Sequence, residues 1–200
     1  LTNAGLVHVE HKLYFIGGEN GTQVSKSIYS LDLAASAPAW ELFMELPYAV
    51  THAVTAITDE GKLLIAGGRK SNPGGISDIY SRVLAIDIST KEIKDLAALP
   101  EPLAAATGLL TADGDLLLFG GDNGSTFHQV ETLIAAIQAA PQEEEKAQLT
   151  SKKNKLQLLH PGFTANVWRL DMKKNSWTKD SPIKGLSPVT TTAVRIDNYI

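Results

Sequence analysis

Apolar residues along this chain come in short runs separated by polar turns, and the runs recur. A run closing on paired glycines appears three times, as Leu13-Tyr14-Phe15-Ile16-Gly17-Gly18, Leu63-Leu64-Ile65-Ala66-Gly67-Gly68 and Leu116-Leu117-Leu118-Phe119-Gly120-Gly121, and the pairs stand 50 and 53 residues apart. Ahead of each lies a shorter apolar strand and a tight turn, at Val7 to Lys12, Ala56 to Lys62 and Leu110 to Asp115. Asp59-Glu60-Gly61-Lys62 and Asp113-Gly114-Asp115 predict hairpin turns, because glycine supplies the positive φ such turns require. Behind each pair comes a strand ending in Asp, at Ile28 to Asp32, Val83 to Asp87 and Val167 to Asp171. A further strand then opens on Trp40, Ile93 or Trp177, and the first two repeats close on Leu46-Pro47 and Leu99-Pro100. Period-2 alternation with β-branched and aromatic residues makes each repeat four short antiparallel strands, a to d.

Four strands in about 50 residues, with Gly-Gly after the second, is the pattern of a propeller blade, so the expected class is all-β. The three registered copies resemble kelch repeats over nearly the whole chain. The expected organisation is a partial propeller: blade 1 at about 1–48, blade 2 at about 49–101, blade 3 at about 102–184, and the start of a fourth at about 185–200. Thr190 to Ile200 reads as strand a of that blade and the first residues of its strand b. The remaining blades, to about six in all, are expected from a longer chain. The paired glycines are expected where a side chain would clash, and Trp40 and Trp177 to pack between neighbouring blades.

One segment breaks the period. The b–c loop runs 15 residues from Gly17 to Asp32, 20 from Gly67 to Asp87 and 51 from Gly120 to Asp171, so blade 3 carries an insertion at about 124–165. Within it Val130, Leu133, Ile134 and Ile137 share one helical face, and Pro141 ends that helix. A second helix follows from Gln142, with Glu143, Glu144 and Glu145 early and Lys152, Lys153 and Lys155 late, as the helix dipole favours. Phe119-Gly120-Gly121-Asp122-Asn123-Gly124-Ser125-Thr126-Phe127, this helical segment, and Asn166 to Asp171 together resemble the sialic acid mutarotase family. Those are bacterial N-acetylneuraminate epimerases on six-bladed kelch propellers, some cyclically permuted. The resemblance implies interconversion of the α and β anomers of N-acetylneuraminate, in the periplasm, with the cytoplasm as the alternative. The family's catalytic Glu, followed by an Arg, comes after strand b of the blade that begins here at Thr190, so both are expected beyond residue 200.

Strand b returns antiparallel to strand a, which places the b–c loops and the d–a approaches around one mouth of the central channel. That mouth receives Glu19, Asn20, His52, Arg69, Lys70, Asp122 and Asn123, with Phe127 and His128 overhanging it. Counting back from the glycine pairs sets His52 opposite Thr2 and Ala105, so its imidazole is not a feature of the repeat. Mutarotation needs the anomeric hydroxyl to lose a proton while the ring oxygen gains one, which a carboxylate or imidazole can supply. Arg69 is the candidate for holding a sugar carboxylate. Glu19, after Gly17-Gly18, holds in its own blade the place analogous to the family's catalytic Glu, but it lacks the Lys-Pro-Gly-x-Arg continuation that the resemblance implies there and is expected only to line the pocket.

Composition narrows the rest. The net charge of −4 offers no basic field to nucleic acid, and no apolar run approaches the length of a membrane span. The absence of cysteine removes disulfides and thiolate metal sites, and no histidine has a second ligand at metal spacing, so neither a metal nor a cofactor is implied. The expected partner is a small acidic sugar. The competing reading is a non-catalytic kelch propeller that binds a protein or glycan through the same mouth. A Glu and Arg after strand b of the fourth blade would favour the enzyme, and an attached interaction domain the binder.

Overall fold

Three four-stranded antiparallel sheets follow one another along the chain in the computed structural model, which describes residues 1–195. The first sheet is β1 (Gly5–Val9), β2 (Lys12–Ile16), β3 (Ser27–Asp32) and β4 (Trp40–Glu45), in that order across the sheet. The second is β5 (Val54–Ile57), β6 (Lys62–Ala66), β9 (Val83–Asp87) and β10 (Ile93–Asp95), interrupted in sequence by a small ribbon of β7 (Arg69–Lys70) and β8 (Asp78–Ile79). The third is β11 (Thr107–Leu110), β12 (Leu116–Phe119), β13 (Val167–Asp171) and β14 (Ser176–Asp180). Each is a blade with strands a to d from the inside out, and the inner strands β1, β5 and β11 lie side by side. The insertion forms α1 (Phe127–Ala139) and α2 (Glu143–Leu158), with Pro141 between them. The first helix begins three residues before the expected Val130, at Phe127.

The blades are held by the apolar layers between them. Val7, Tyr14, Ile16 and Ile28 of blade 1 meet Leu63, Ile65, Leu84 and Ile86 of blade 2. The opposite face of blade 2, with Val54, Leu64, Ala66 and Val83, meets Leu116, Leu118 and Leu170 of blade 3. Several of these side chains are wholly excluded from solvent, and each fully buried one contributes about 1.5–3 kcal/mol. Polar clasps add to the layers at the turns. Lys91 Nζ donates to the Phe43 carbonyl at 2.8 Å, and Asn175 Oδ1 accepts from the Ala97 N–H at 2.8 Å. The Asp that ends strand c acts locally, as an acceptor for the turn that follows it. Asp87 accepts from the Ser89 and Thr90 N–H groups, and Asp171 from those of Lys173 and Lys174, so each shapes the c–d turn.

Two expectations need correction. Trp177 does pack between blades, its indole N–H donating to the Ala97 carbonyl at 2.8 Å. Trp40, at the matching position, is 47% exposed and only meets Phe15 edge-on at 6.0 Å. It lies with Leu6 and Leu42 on the face of blade 1 turned away from blade 2, where no other described blade covers it. Thr190 to Arg195 form no strand, because strand a takes its ladder from strand b and these residues have none among the described residues. They still follow the approach to a blade: the Pro188 carbonyl accepts from Gly121 as Val50 and Leu103 accept from Gly18 and Gly68. Residues 196–200 of that expected strand lie outside the described residues. Among the described residues no helix is long and apolar enough to cross a membrane.

Candidate functional site

The residue after each glycine pair turns back to bridge the chain entering its own blade. Glu19 pairs with Thr2, Arg69 with Thr51 and Asp122 with Ala104. One residue further along each approach the backbone enters the left-handed region, with φ of 53° at Asn3, 54° at His52, 55° at Ala105 and 51° at Thr190. These four are tied in series by backbone hydrogen bonds of 2.9 Å: His52 N–H to the Asn3 carbonyl, Ala105 N–H to His52, and Thr190 N–H to Ala105. A non-glycine residue there costs about 1–2 kcal/mol in backbone strain, offset by the bond each rung makes. The true counterpart of His52 in blade 1 is therefore Asn3, not Thr2. The first hairpin has a two-residue turn (Val9 pairs with Lys12) where the others have three, which shifts the count by one.

His52, Arg69 and Glu19 meet at this rim. Arg69 Nη2 donates to both carboxylate oxygens of Glu19, at 3.0 and 3.2 Å, and Asn3 Nδ2 donates to Oε1 at 3.1 Å. His52 Nδ1 is 3.6 Å from the same oxygen. The Glu19 and His52 side chains are each 15% exposed and that of Arg69 is 20%, so this is a partly desolvated cluster rather than a surface pair. Arg69 is therefore not a solvated loop cation. Its guanidinium also lies 5.5 Å from the centre of the Phe127 ring, and Nη1 reaches Ser77 Oγ at 3.5 Å.

The protonation of His52 follows from its neighbours. The Thr51 hydroxyl donates to the Asn3 carbonyl at 3.0 Å, so towards His52 Nδ1, 3.2 Å away, it can only accept. In that arrangement Nδ1 is assigned the proton and Nε2 the lone pair. Burial first, then the charge of Arg69, holds the imidazole below its ordinary pKa of 6.5, against the opposing pull of Glu19. A lowered pKa means that the unfolded chain takes up this proton more readily than the folded one. The stability contributed by neutral His52 is complete above 6.5 and is lost as the pH falls through the lowered value. Urea midpoints are expected to drop on acidification more steeply in the parent than in His52→Asn, since Asn tolerates the left-handed backbone. Parallel slopes would remove His52 as the cause.

Beside this cluster opens a cavity of about 190 Å³, lined by His52, Arg69, Ile79, Asp122, Phe127 and Thr190 among others. Blades 2 and 3, the insertion and the segment at Val189 and Thr190 all contribute a wall. Glu19 stands behind Arg69 and His52 and is not itself on the wall. Asp122 is, while its Oδ1 accepts from the Gly124 N–H at 2.8 Å. Asn20 and Asn123 are exposed turn residues: Asn20 Oδ1 accepts from Thr22 and Gln23, and Asn123 Oδ1 from Ser125. His128 is turned against Gly124, with Nε2 buried and lacking a hydrogen-bond partner among the described residues. Lys70 pairs with Asp78 in the small ribbon. Among the described residues no three His, Asp or Glu side chains gather as a metal site. A larger cavity, about 440 Å³ between α1 and α2, shares no residue with this one.

Sequence reasoning missed Asn3, Ser77 and Glu131. Glu131, on α1, accepts from the Ser77 N–H at 2.9 Å and from its hydroxyl, which fastens the insertion to the b–c loop of blade 2. The corrected hairpin count would have found Asn3. No signal in the sequence joins Ser77 to a glutamate 54 residues away.

No family model matches the sequence, and no curated protein matches it. In contrast, 161 solved chains match in structure. One of them, the structure of YjhT, superposes with a TM-score of 0.73 over 94% of this chain at 16% identity. This is a kelch-like β-propeller of four-stranded blades. The chain spans about half of the YjhT chain, 52% of its length, and at this identity the likeness is one of fold.

Proposed function

We propose that this chain supplies three blades of a sugar mutarotase that interconverts the α and β anomers of N-acetylneuraminate or a related acidic sugar. The observation that carries this is the placing of His52 beside Arg69 on the wall of a cavity overhung by Phe127, with Nε2 assigned as the nitrogen that accepts a proton. The loop and helical insertion that resemble the mutarotase family, and the propeller fold shared with YjhT, support the same reading. In this scheme Nε2 takes the proton of the anomeric hydroxyl as the bond from the anomeric carbon to the ring oxygen breaks. The ring oxygen is protonated, the open-chain ketone turns, and reclosure on the opposite face returns both protons. Arg69 holds the carboxylate of the sugar. The Glu and Arg that the resemblance places on the fourth blade would complete the site, and we assign the activity to the periplasm on that resemblance.

The test is proton NMR of freshly released α-N-acetylneuraminate with the full-length protein. Anomer equilibration well above the spontaneous rate is expected. A folded protein that leaves the rate unchanged would overturn the enzyme reading, and binding on a glycan array would then support a propeller that only binds.

A further inference from the structure

The cluster poses a problem for an acidic substrate. Arg69 is the cation on the cavity wall, and Nη2 is already committed to both oxygens of Glu19. Asp122 lines the same cavity, and Glu131 is one residue removed through Ser77, so the field there is not attractive to an anion as it stands. His52 feels Arg69 from its own blade and Glu19 from blade 1, and it shares the cavity lining with Asp122 of blade 3. The arrangement also contains its own solution. Glu19 Oε1 is shared by Asn3 and Arg69, and it stands 3.6 Å from His52 Nδ1, under 1 Å beyond a charge-assisted hydrogen bond of about 2.8 Å.

We propose that Glu19 is a placeholder for the substrate carboxylate: the incoming sugar displaces it from Arg69, and the freed Glu19, still held by Asn3, closes onto His52 Nδ1. This rests on the acidic-sugar reading above and adds to it the way the base is switched on. Before binding, burial and then Arg69 hold down the basicity of His52, with Glu19 turned to the guanidinium 3.0 Å away. After the exchange the substrate carboxylate takes the place of Glu19 on Arg69, and the freed Glu19 orients the imidazole and supports the positive charge that forms when Nε2 accepts the anomeric proton. With Nδ1 as the protonated nitrogen beside Thr51, the exchange needs no tautomer change: the same N–H turns from the Thr51 hydroxyl to the carboxylate 3.6 Å away. A sugar without a carboxylate leaves Glu19 on Arg69 and the base unactivated, which makes the exchange a device for specificity as well as rate. Glu19 acts through His52 and is a positioning residue.

The test is Glu19→Gln in the full-length protein, probed with N-acetylneuraminate and with its methyl ester. Gln keeps the shape and can still bond Arg69, but it is a weaker competitor. Affinity for the acid is expected to rise about tenfold, while the rate of anomer exchange at saturation falls about tenfold or more. A purely structural role would weaken both together, and that result overturns the proposal. The imidazole shifts of His52 give a second readout that needs no variant. In the parent its pKa rises when the acid binds and not when the ester binds. Binding of the acid with no change at His52 overturns the exchange and leaves the acidic-sugar reading standing. Failure of the acid to bind at all overturns both.

Discussion

Gly67→Ala is expected to cost about 3–4 kcal/mol of stability, read as a lowered urea midpoint, and to abolish ligand binding at the cavity. Gly67 has φ of 64°, where an L side chain is strained by about 1–2 kcal/mol. A Cβ there would also sit 2.3 Å from the Leu103 carbonyl oxygen. That oxygen cannot simply retreat, because it accepts from Gly68 N–H at 2.8 Å in the bond that closes blade 3 onto blade 2, and losing a buried bond of this kind costs a further 1–3 kcal/mol or so. Arg69 lies two residues on, so the displaced loop carries the guanidinium with it. Gly74→Ala is the control, since φ is also positive there, at 72°, but nothing lies within 4 Å of the added methyl. It should lose only the strain, about 1 kcal/mol. Equal midpoints for the two variants would show that the close approach at Gly67 is not what holds the loop.

Glu131→Ala is expected to release the insertion without unfolding the blades. Ser77 is 3% exposed, and its N–H and hydroxyl both end on this carboxylate, so truncation leaves two buried donors unpaired at roughly 1–3 kcal/mol. The other anchors are few: α1 buries Leu133 and lays Phe127 on Arg69, and α2 has no buried residue of its own. Amide exchange across α1 and α2 should quicken roughly tenfold to a hundredfold, while the global urea midpoint moves little. Because Phe127 opens α1 and walls the cavity, ligand affinity should fall in parallel. Unchanged protection of the helices would mean that the insertion is seated by something other than this carboxylate.

These effects sort what the sequence could and could not disclose. The blades were legible because backbone geometry repeats: a glycine pair with positive φ and no room for Cβ must recur wherever a strand b leaves the crowded rim. The strand-c Asp was legible for the same reason, as the acceptor of a turn. Glu19, Arg69 and Asp122 were placed at one mouth by topology alone, since each follows its glycine pair. Their bonding was not legible, because whether Arg69 faces solvent or Glu19 depends on the packing of two blades 50 residues apart. Trp40 and Trp177 look alike in sequence and differ in exposure because only one has a neighbouring blade here. The seat of the insertion depends on the rotation of α1 about its axis, which its apolar face sets only to within a turn.

The rungs at Asn3, His52, Ala105 and Thr190 share a backbone and carry four different side chains. The hoop is thus a set of identical sockets in which the main chain does the joining and the side chain is free to vary. A residue placed in such a socket inherits a fixed position and direction at the mouth without any redesign of the blade beneath it. Exchanging Ala105 for Asn or His is expected to set a further polar group on the cavity wall, one rung along from His52, with the blade beneath it unchanged.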